Sequence, residues 1–310
     1  MTQRPAVLIM QRHLAPLTAF LEGAYDVYRF WEGPPVEAAH DIRALVVAGE
    51  FELDKALIES LPNLIHIACF TAGYDRLDVD WCRARGLVVT HAPGVNHEDV
   101  ADHALGLIIG HWRGLVSGDR MLRAGEWKIE TRVLTPSLNG QRVGIVGLGA
   151  IGQAVARRAE AMRMSVAWWG PREKTSPWPR ADSVAALARD SDILVVCCKV
   201  DASNAGLISE PVLQALGPNG LLVNVSRGQI IDEPALIAAL KSGALGGAAL
   251  DVFTEEPTDP ALWADVPNTV LTPHTGGATT ESVQGMLMLL LQNLSAVLGG
   301  EPPRTPVTAP

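Results

Sequence analysis

Basic residues never run for more than two in a row in this chain, and 25 Lys and Arg are outnumbered by 34 Asp and Glu, for a formal charge of −9. Wide contact with nucleic acid or an anionic membrane needs the opposite balance, so only a local basic pocket for a small anion stays open. Long apolar runs are missing too. The first, Ala6 to Met10, ends at Gln11 and Arg12, too short for a signal-peptide core. The longest near the end, "GMLMLLLQNLSAVLGG", is broken by Gln292, Asn293 and Ser295 and falls short of a membrane span. A cytoplasmic protein without nucleic-acid or membrane partners is expected. The four cysteines, Cys69, Cys82, Cys197 and Cys198, lack C-x-x-C spacing, which fits reduced thiols better than a disulfide framework or a zinc site. No metal site is expected, and Cys197 and Cys198, following "DILVV", are read as core packing at a strand end.

What is present is ordinary for a globular chain: 310 residues, 48% hydrophobic and 19% charged, enough for two domains with separate cores. Short β-rich runs recur with helical stretches between them. "AVLIM", "ALVVAG", "LIHIACF" and "LVVTHAP" fall in the first hundred residues; "RVGIVGLG", "SVAWWG", "DILVVCC", "LLVNVS", "GAALDVF" and "NTVLTP" follow. Continuous apolar runs of this length suit parallel strands covered on both faces. With helices such as Gly152 to Met162 and Glu233 to Lys241 between them, they predict an α/β protein with two doubly wound parallel sheets. A helix capped by Asn96 or Asp99 opens the second series. The last helix, beginning at Thr279 or Thr280 and stopped by Gly299, is apolar on more than one face and is expected to return to the first domain. The predicted domains are 1–97 plus 280–310, discontinuous, and 98–279. The tail "GEPPRTPVTAP" reads as an irregular end.

"RVGIVGLGAIGQAVARRAE" sets G-x-G-x-x-G, as Gly147, Gly149 and Gly152, after a strand and at the start of a helix. Gly147 permits the tight turn, Gly149 lets the backbone approach a pyrophosphate, and Gly152 lets helix and strand pack closely. The helix N-terminus then offers free N–H groups to the phosphates. Ala150, Ile151, Trp169, Cys198 and Ser226 complete the candidate nucleotide contacts on this side. In NAD-binding versions of the motif an acid about twenty residues on binds the adenosine ribose. Here "SVAWWGPREK" has no carboxylate at the strand tip. Arg172 and Lys174 stand there instead, and they predict NADP(H) over NAD(H) through charge-assisted bonds to a 2′-phosphate. The competing expectation is a solvated turn in which Glu173 partly neutralises both.

Three later segments bring polar groups to strand ends, where open α/β sheets bind ligands. They are "LLVNVSRGQIIDEPAL" with Arg227, "GAALDVFTEEP" with Asp251, Glu255 and Glu256, and "NTVLTPHTGGATTES" with His274 and Gly276. Singly these are a surface arginine, solvated loop acids and a structural histidine. Together they supply what reduction of a 2-keto acid requires: an Arg fork for a carboxylate, a His to exchange a proton with the carbonyl oxygen, and a Glu to orient and charge the His.

In order, and nearly continuously from about residue 64 to residue 285, these segments resemble the D-isomer-specific 2-hydroxyacid dehydrogenase family. The resemblance implies two similar α/β domains, Rossmann-like and flavodoxin-like, with the active site in the cleft between them. It further implies a homodimer joined through the nucleotide domain, in the region from Ala101 to Trp127. Carried over by position, it makes Arg227, Glu256 and His274 catalytic, with Glu256 rather than Glu255 standing before the proline. Ala72 and Gly73 in "CFTAGYDRLDVD" become substrate-carboxylate contacts through backbone N–H groups, alongside Arg227. Asp251 falls near the nicotinamide carboxamide, with His274 and Gly276 beside it. Formate dehydrogenases of the family carry Gln in place of this Glu, so Glu256 favours hydroxy-acid chemistry. Arg172 resembles the glyoxylate and hydroxypyruvate reductase branch; D-lactate, phosphoglycerate or an aromatic keto acid is the alternative, with Trp31, Phe51 and Tyr74 as candidate pocket residues. Corepressors similar to the family keep the fold as nucleotide-sensing binding proteins, but the complete trio favours an enzyme. One departure is "CCKVDASNAGLI", where many members have a Pro- and Thr-rich loop; Lys199 and Asn204 there alter the expected cofactor contacts.

Overall fold

A computed structural model describes residues 4–33, 37–131, 133–201 and 203–308. Eleven strands are formed among these residues: β1 (Ala6–Ile9), β2 (Asp26–Arg29), β3 (Ile42–Val47), β4 (His66–Cys69), β5 (Val88–Thr90), β6 (Arg142–Val146), β7 (Ser165–Trp169), β8 (Ile193–Val196), β9 (Leu221–Asn224), β10 (Gly247–Leu250) and β11 (Thr269–Leu271). The α-helices are α1 (Thr18–Leu21), α2 (Lys55–Glu59), α3 (Val79–Ala84), α4 (His97–Trp112), α5 (Leu115–Arg123), α6 (Ala150–Ala161), α7 (Val184–Arg189), α8 (Glu210–Leu216), α9 (Glu233–Ser242), α10 (Pro260–Trp263) and α11 (Thr280–Leu298). They fall into two compact units, 1–96 with 280–310 and 97–279.

The first unit holds a parallel five-stranded sheet in the order β2-β1-β3-β4-β5. Side chains alternate across β3: Ala44 and Val46 join Met286, Leu290 and Leu294 of α11 on one face, while Leu45 and Val47 join Ile58 and Cys82 on the other. Both faces are therefore dry, as the unbroken apolar runs require. α11 does return to this unit, packing against β3 and β4. Edge strand β2, "DVYR", is half-buried throughout, so it needs no apolar run and leaves no such trace in the sequence. The tail differs from the irregular end expected. Pro306 bridges Thr90 antiparallel, and Val307 N–H donates to Val89 O, so the tail extends the β5 edge; Ala309 and Pro310 lie outside the described residues.

The second unit holds a parallel six-stranded sheet in the order β11-β10-β9-β8-β6-β7. Ile193 and Val195 of β8 face Ile108 of α4 and Val155 of α6, and Leu194 and Val196 face Leu187, Leu213 and Leu236. Side-chain caps fix where several helices begin: Ser183 accepts from Ala186 N–H and Asp232 from Ala235 N–H, each satisfying one orphan donor. Because β7 and β8 flank β6, the chain leaves β6 to one side and re-enters on the other. The crevice at the carboxyl end of β6 is thus a topological switch point, where such sheets take ligands.

Candidate active site

At that switch point each glycine has a separate reason. Gly147 sits at φ +95°, and a Cβ there would lie 2.6 Å from the Cys198 backbone. The Gly147 N–H is tied to Trp169 O at 2.8 Å, so the turn is pinned to the end of β7. A Cβ on Gly152 would lie 2.1 Å from Gly147 O, which leaves only glycine where α6 presses on the loop. Gly149 differs: nothing lies within 4 Å of its Cβ position, so its constraint is not internal. It begins α6 with no side-chain cap, and Ala150 and Ile151 form the first turn. The open side of Gly149 and the uncapped N–H groups are what an approaching pyrophosphate requires, so these residues fit a dinucleotide.

The loop after β7 exposes Arg172 and Glu173. Lys174 is not a free solvated cation, since its Nζ donates to Leu148 O at 2.8 Å, joining this loop to the glycine turn and leaving two of its three N–H donors. Arg180 donates to Gly170 O at 2.8 Å and was not foreseen, because it arrives from a later loop. Trp169 is partly buried against the core. On the other side, Ser226 Oγ donates to Cys198 O, placing these two backbone segments side by side. Asn204 accepts from Asp201 N–H at 2.8 Å and donates to Lys199 O at 2.7 Å, so the unusual loop after β8 is closed on itself. All four cysteines are free, and burial pushes Cys198 up to about 11, which keeps it a neutral thiol at neutral pH.

Arg227, Glu256 and His274 come together in the second unit although 47 positions separate the first from the last in the sequence. Arg227 follows β9 in extended backbone; Asn224, fully buried, donates to Arg227 O at 3.0 Å. A Cβ on Gly228 would lie 1.9 Å from the Phe253 carbonyl carbon, so the Arg227 and Glu256 loops are in direct backbone contact. The Glu256 loop has further supports: Gln229 donates to Thr254 O at 2.9 Å, and Thr254 N–H donates to Glu233 Oε2 at 3.1 Å. The motif "RGQIIDEP" therefore serves largely as a brace, a role not visible from spacing.

His274 Nδ1 and Glu256 Oε2 are 2.6 Å apart, and Glu256 Oε1 accepts from Phe253 N–H at 3.0 Å. An ionised carboxylate only accepts, so Nδ1 carries the proton and Nε2 is the ring atom left for exchange. The hydrogen bond that His274 donates to Glu256 raises the His274 pKa, against the lowering effects of burial and of the Arg227 charge. Burial would raise Glu256, but the bonds from His274 and Phe253 N–H and the charges of His274 and Arg227 outweigh it and leave its carboxyl below the ordinary value. Glu255 has no such partner role in the pair.

Asp251, at the end of β10, is 2% exposed. Burial alone would raise it; His103, Thr272 and the Thr275 and Gly276 N–H groups overcome that and hold it at about 2. Gly276 is buried against it, with room for no Cβ, which would come within 2.8 Å of Asp251 Oδ2.

In the first unit, Ala72 and Gly73 lie in the loop after β4. His91 Nδ1 is 2.9 Å from Ala72 O, Thr71 Oγ1 donates to Gly73 O at 2.9 Å, and Gly49 N–H donates to Thr71 Oγ1 at 2.9 Å. These contacts fix both peptide planes, and Thr71, His91 and Gly49 had no sequence signal. Phe51 packs at a tilt against His13 with centroids 5.5 Å apart and Tyr74 meets His91 edge to face at 4.7 Å, whereas Trp31 packs against the core of this unit.

Among known proteins, the family model described as "D-isomer specific 2-hydroxyacid dehydrogenase, NAD binding domain" matches residues 105–276. A hydroxyphenylpyruvate reductase of Plectranthus scutellarioides is 40% identical over 95% of the chain and 97% of its own length. A glyoxylate/hydroxypyruvate reductase A of Arabidopsis thaliana is 39% identical over the same shares. The solved structure of an NADPH-dependent glyoxylate/hydroxypyruvate reductase from Sinorhizobium meliloti, in complex with NADP and malonate, superimposes with a TM-score of 0.91 at 35% identity, covering 99% of this chain and 97% of that one.

Proposed function

The chain belongs to the D-isomer-specific 2-hydroxyacid dehydrogenase family, and on that footing we propose that it reduces glyoxylate and hydroxypyruvate to the D-2-hydroxy acid with NADPH as preferred reductant. Membership makes it an oxidoreductase that uses a nicotinamide cofactor. When bound, that cofactor supplies the hydride, and the chain's own residues bind, orient and protonate the substrate. The guanidinium of Arg227 holds the substrate carboxylate and carbonyl oxygen through its fork of donors. Backbone N–H groups of Ala72 and Gly73 take the carboxylate as well. His274 delivers a proton from Nε2 to the carbonyl oxygen, and Glu256 keeps the ring charged and oriented from Nδ1. Gly147, Gly149, Ala150, Ile151 and Gly152 hold the pyrophosphate, with Trp169, Cys198 and Ser226 alongside; Asp251 and Gly276 take the nicotinamide end.

The observation that carries this reading is the 2.6 Å pair of His274 and Glu256 under the influence of Arg227. A histidine with a raised pKa, one nitrogen fixed by a carboxylate and a guanidinium nearby is a proton donor beside an oxyanion site. His274→Ala is expected to lower glyoxylate reduction by about 10²–10⁴ while cofactor binding is kept. Undiminished turnover would refute the role.

The NADPH preference rests on Arg172, exposed where the ribose-binding acid of NAD enzymes would stand. The reductase is further proposed to be cytoplasmic and homodimeric through its nucleotide unit. Support for the dimer is the exposed apolar series Leu115, Leu122, Trp127, Ile129, Val133 and Leu134, more than a solvated arm needs. Among the described residues no helix is long and apolar enough to cross a membrane. An aromatic 2-keto acid is a second reading, favoured by the exposed Phe51 on His13 and by the name of the Plectranthus relative.

A further inference from the structure

A second histidine of the nucleotide unit is tied to the reacting one without touching it. His103, on α4, places Nε2 2.9 Å from Thr272 Oγ1 and 3.2 Å from Asp251 Oδ1. The direction of each bond follows from proton counting. Asp251 is ionised, so all its partners must donate. Thr272 gives its one hydroxyl proton to Asp251 Oδ1 at 2.6 Å, and so faces His103 with lone pairs only. His103 Nε2 is thereby left as the N–H donor to both, and His103, Thr272 and Asp251 form a closed three-membered set.

Asp251 in turn holds the segment that presents His274. Its carboxylate accepts from Thr275 N–H at 2.9 Å and Gly276 N–H at 2.8 Å, and its main-chain oxygen accepts from His274 N–H at 2.8 Å. His274 sits at φ +53°, in the left-handed region that non-glycine residues adopt only when their surroundings enforce it, at a cost of about 1–3 kcal/mol. Three of the contacts that hold the turn run through Asp251, and His274 N–H also reaches Thr272 O at 3.1 Å. A Cβ on Gly276 would reach Asp251 Oδ2 at 2.8 Å and His103 Cδ2 at 3.4 Å, so the turn is seated directly on the set.

We propose that His103 is a positioning residue: its Nε2–H locks Asp251 and Thr272, and through them the left-handed turn that holds His274 against Glu256. Without it, Asp251 loses a donor and a buried carboxylate is left short of a partner. The turn then relaxes from left-handed backbone, and Nδ1 of His274 moves off Glu256. The charged groups around His274 are Glu256, Arg227 and Asp251, so its titration reports directly on whether the Glu256 contact survives.

The test compares His103→Leu, His103→Gln and Thr272→Val in the full-length protein, with thermal unfolding as a check on folding. Two readouts are taken: the titration midpoint of His274 by NMR without substrate, and kcat and KM for glyoxylate reduction. His103→Leu should move the His274 midpoint to lower pH and lower kcat by about tenfold to a hundredfold, the range that slight misplacement of a reacting group produces. KM should change less than kcat. His103→Gln, whose amide N–H reaches a similar place, should restore most of both, and Thr272→Val should move the midpoint in the same direction. A folded His103→Leu or Thr272→Val protein with an unmoved midpoint would overturn the proposal, as would equal losses in the Leu and Gln variants. The kinetic arm rests on the reductase reading and the NMR arm does not. Absence of wild-type turnover would count against that reading alone, with the titration still deciding the role of His103.

Discussion

Replacing Glu256 by Gln keeps the shape of the Glu–His pair and removes its charge. The contact is short, 2.6 Å, and a charge-assisted hydrogen bond contributes about 1.5–3 kcal/mol when shielded. His274 is 40% exposed at its side chain, so solvent screening places the effect toward the low end, about tenfold in the population of imidazolium above its midpoint. The sign follows from the raised pKa of His274: the protonated ring is the form Glu256 favours and the form reduction needs. Reduction therefore falls as pH rises through that midpoint, and oxidation of the hydroxy acid gains. In the Gln variant the midpoint should lie at lower pH, with reduction about tenfold slower above it and little changed well below both midpoints. The assay is kcat/KM for glyoxylate across pH, with buffers of constant ionic strength. A profile that keeps its midpoint in Glu256→Gln would refute the coupling, whatever the change in absolute rate.

Arg172→Ala should reduce the ratio of kcat/KM with NADPH to that with NADH by about ten- to a hundredfold, the value of one charge-assisted bond to a phosphate; an unchanged ratio would leave the loop as a charged turn. Gly228→Ala puts a Cβ 1.9 Å from the Phe253 carbonyl carbon; separating two backbones should cost about 3 kcal/mol in denaturant unfolding and displace Glu256, and a loss below about 1 kcal/mol would contradict the contact. His66 is fully buried in β4, with Nε2 2.9 Å from Thr90 Oγ1, and burial lowers its pKa from 6.5 to about 4. The unfolded chain takes up that proton first, so its contribution is complete above about pH 6.5 and is lost between there and pH 4, amounting to about 3 kcal/mol. Denaturant midpoints between those pH values should fall less in His66→Leu than in wild type; equal slopes would refute the assignment.

The parallel sheets were legible because strands dry on both faces must be continuously apolar, and each of the ten runs singled out in the sequence coincides with a strand of one sheet or the other. β2 escaped since an edge strand carries no such demand, and the tail escaped since its pairing is made by backbone groups of Thr305 to Val307. Helix ends were legible to within two residues where an apolar face and a stop signal coincide, as at Leu298 and Gly299. At the site, spacing identified the residues bearing charge or lacking a Cβ. It was silent on what supports them: Gln229 and Glu233 under Glu256, His103 and Thr272 under His274, Thr71 and His91 under Ala72 and Gly73. Thr71 apart, which lies two positions from Gly73, these partners meet across 19 to 169 positions, and their residue types are common on helices and in loops. Their roles exist only once the backbone has brought them together. Lys174 was legible as a cation in the loop after β7 but not as a donor to Leu148, a contact set by the turn after that strand.

The most direct measurement is steady-state reduction of glyoxylate, hydroxypyruvate and phenylpyruvate by the wild-type protein with NADPH, with chiral analysis of the glycerate formed. Turnover of glyoxylate and hydroxypyruvate should exceed that of phenylpyruvate, with D-glycerate formed from hydroxypyruvate. No turnover of any of the three, or formation of the L-acid, would contradict the reductase reading.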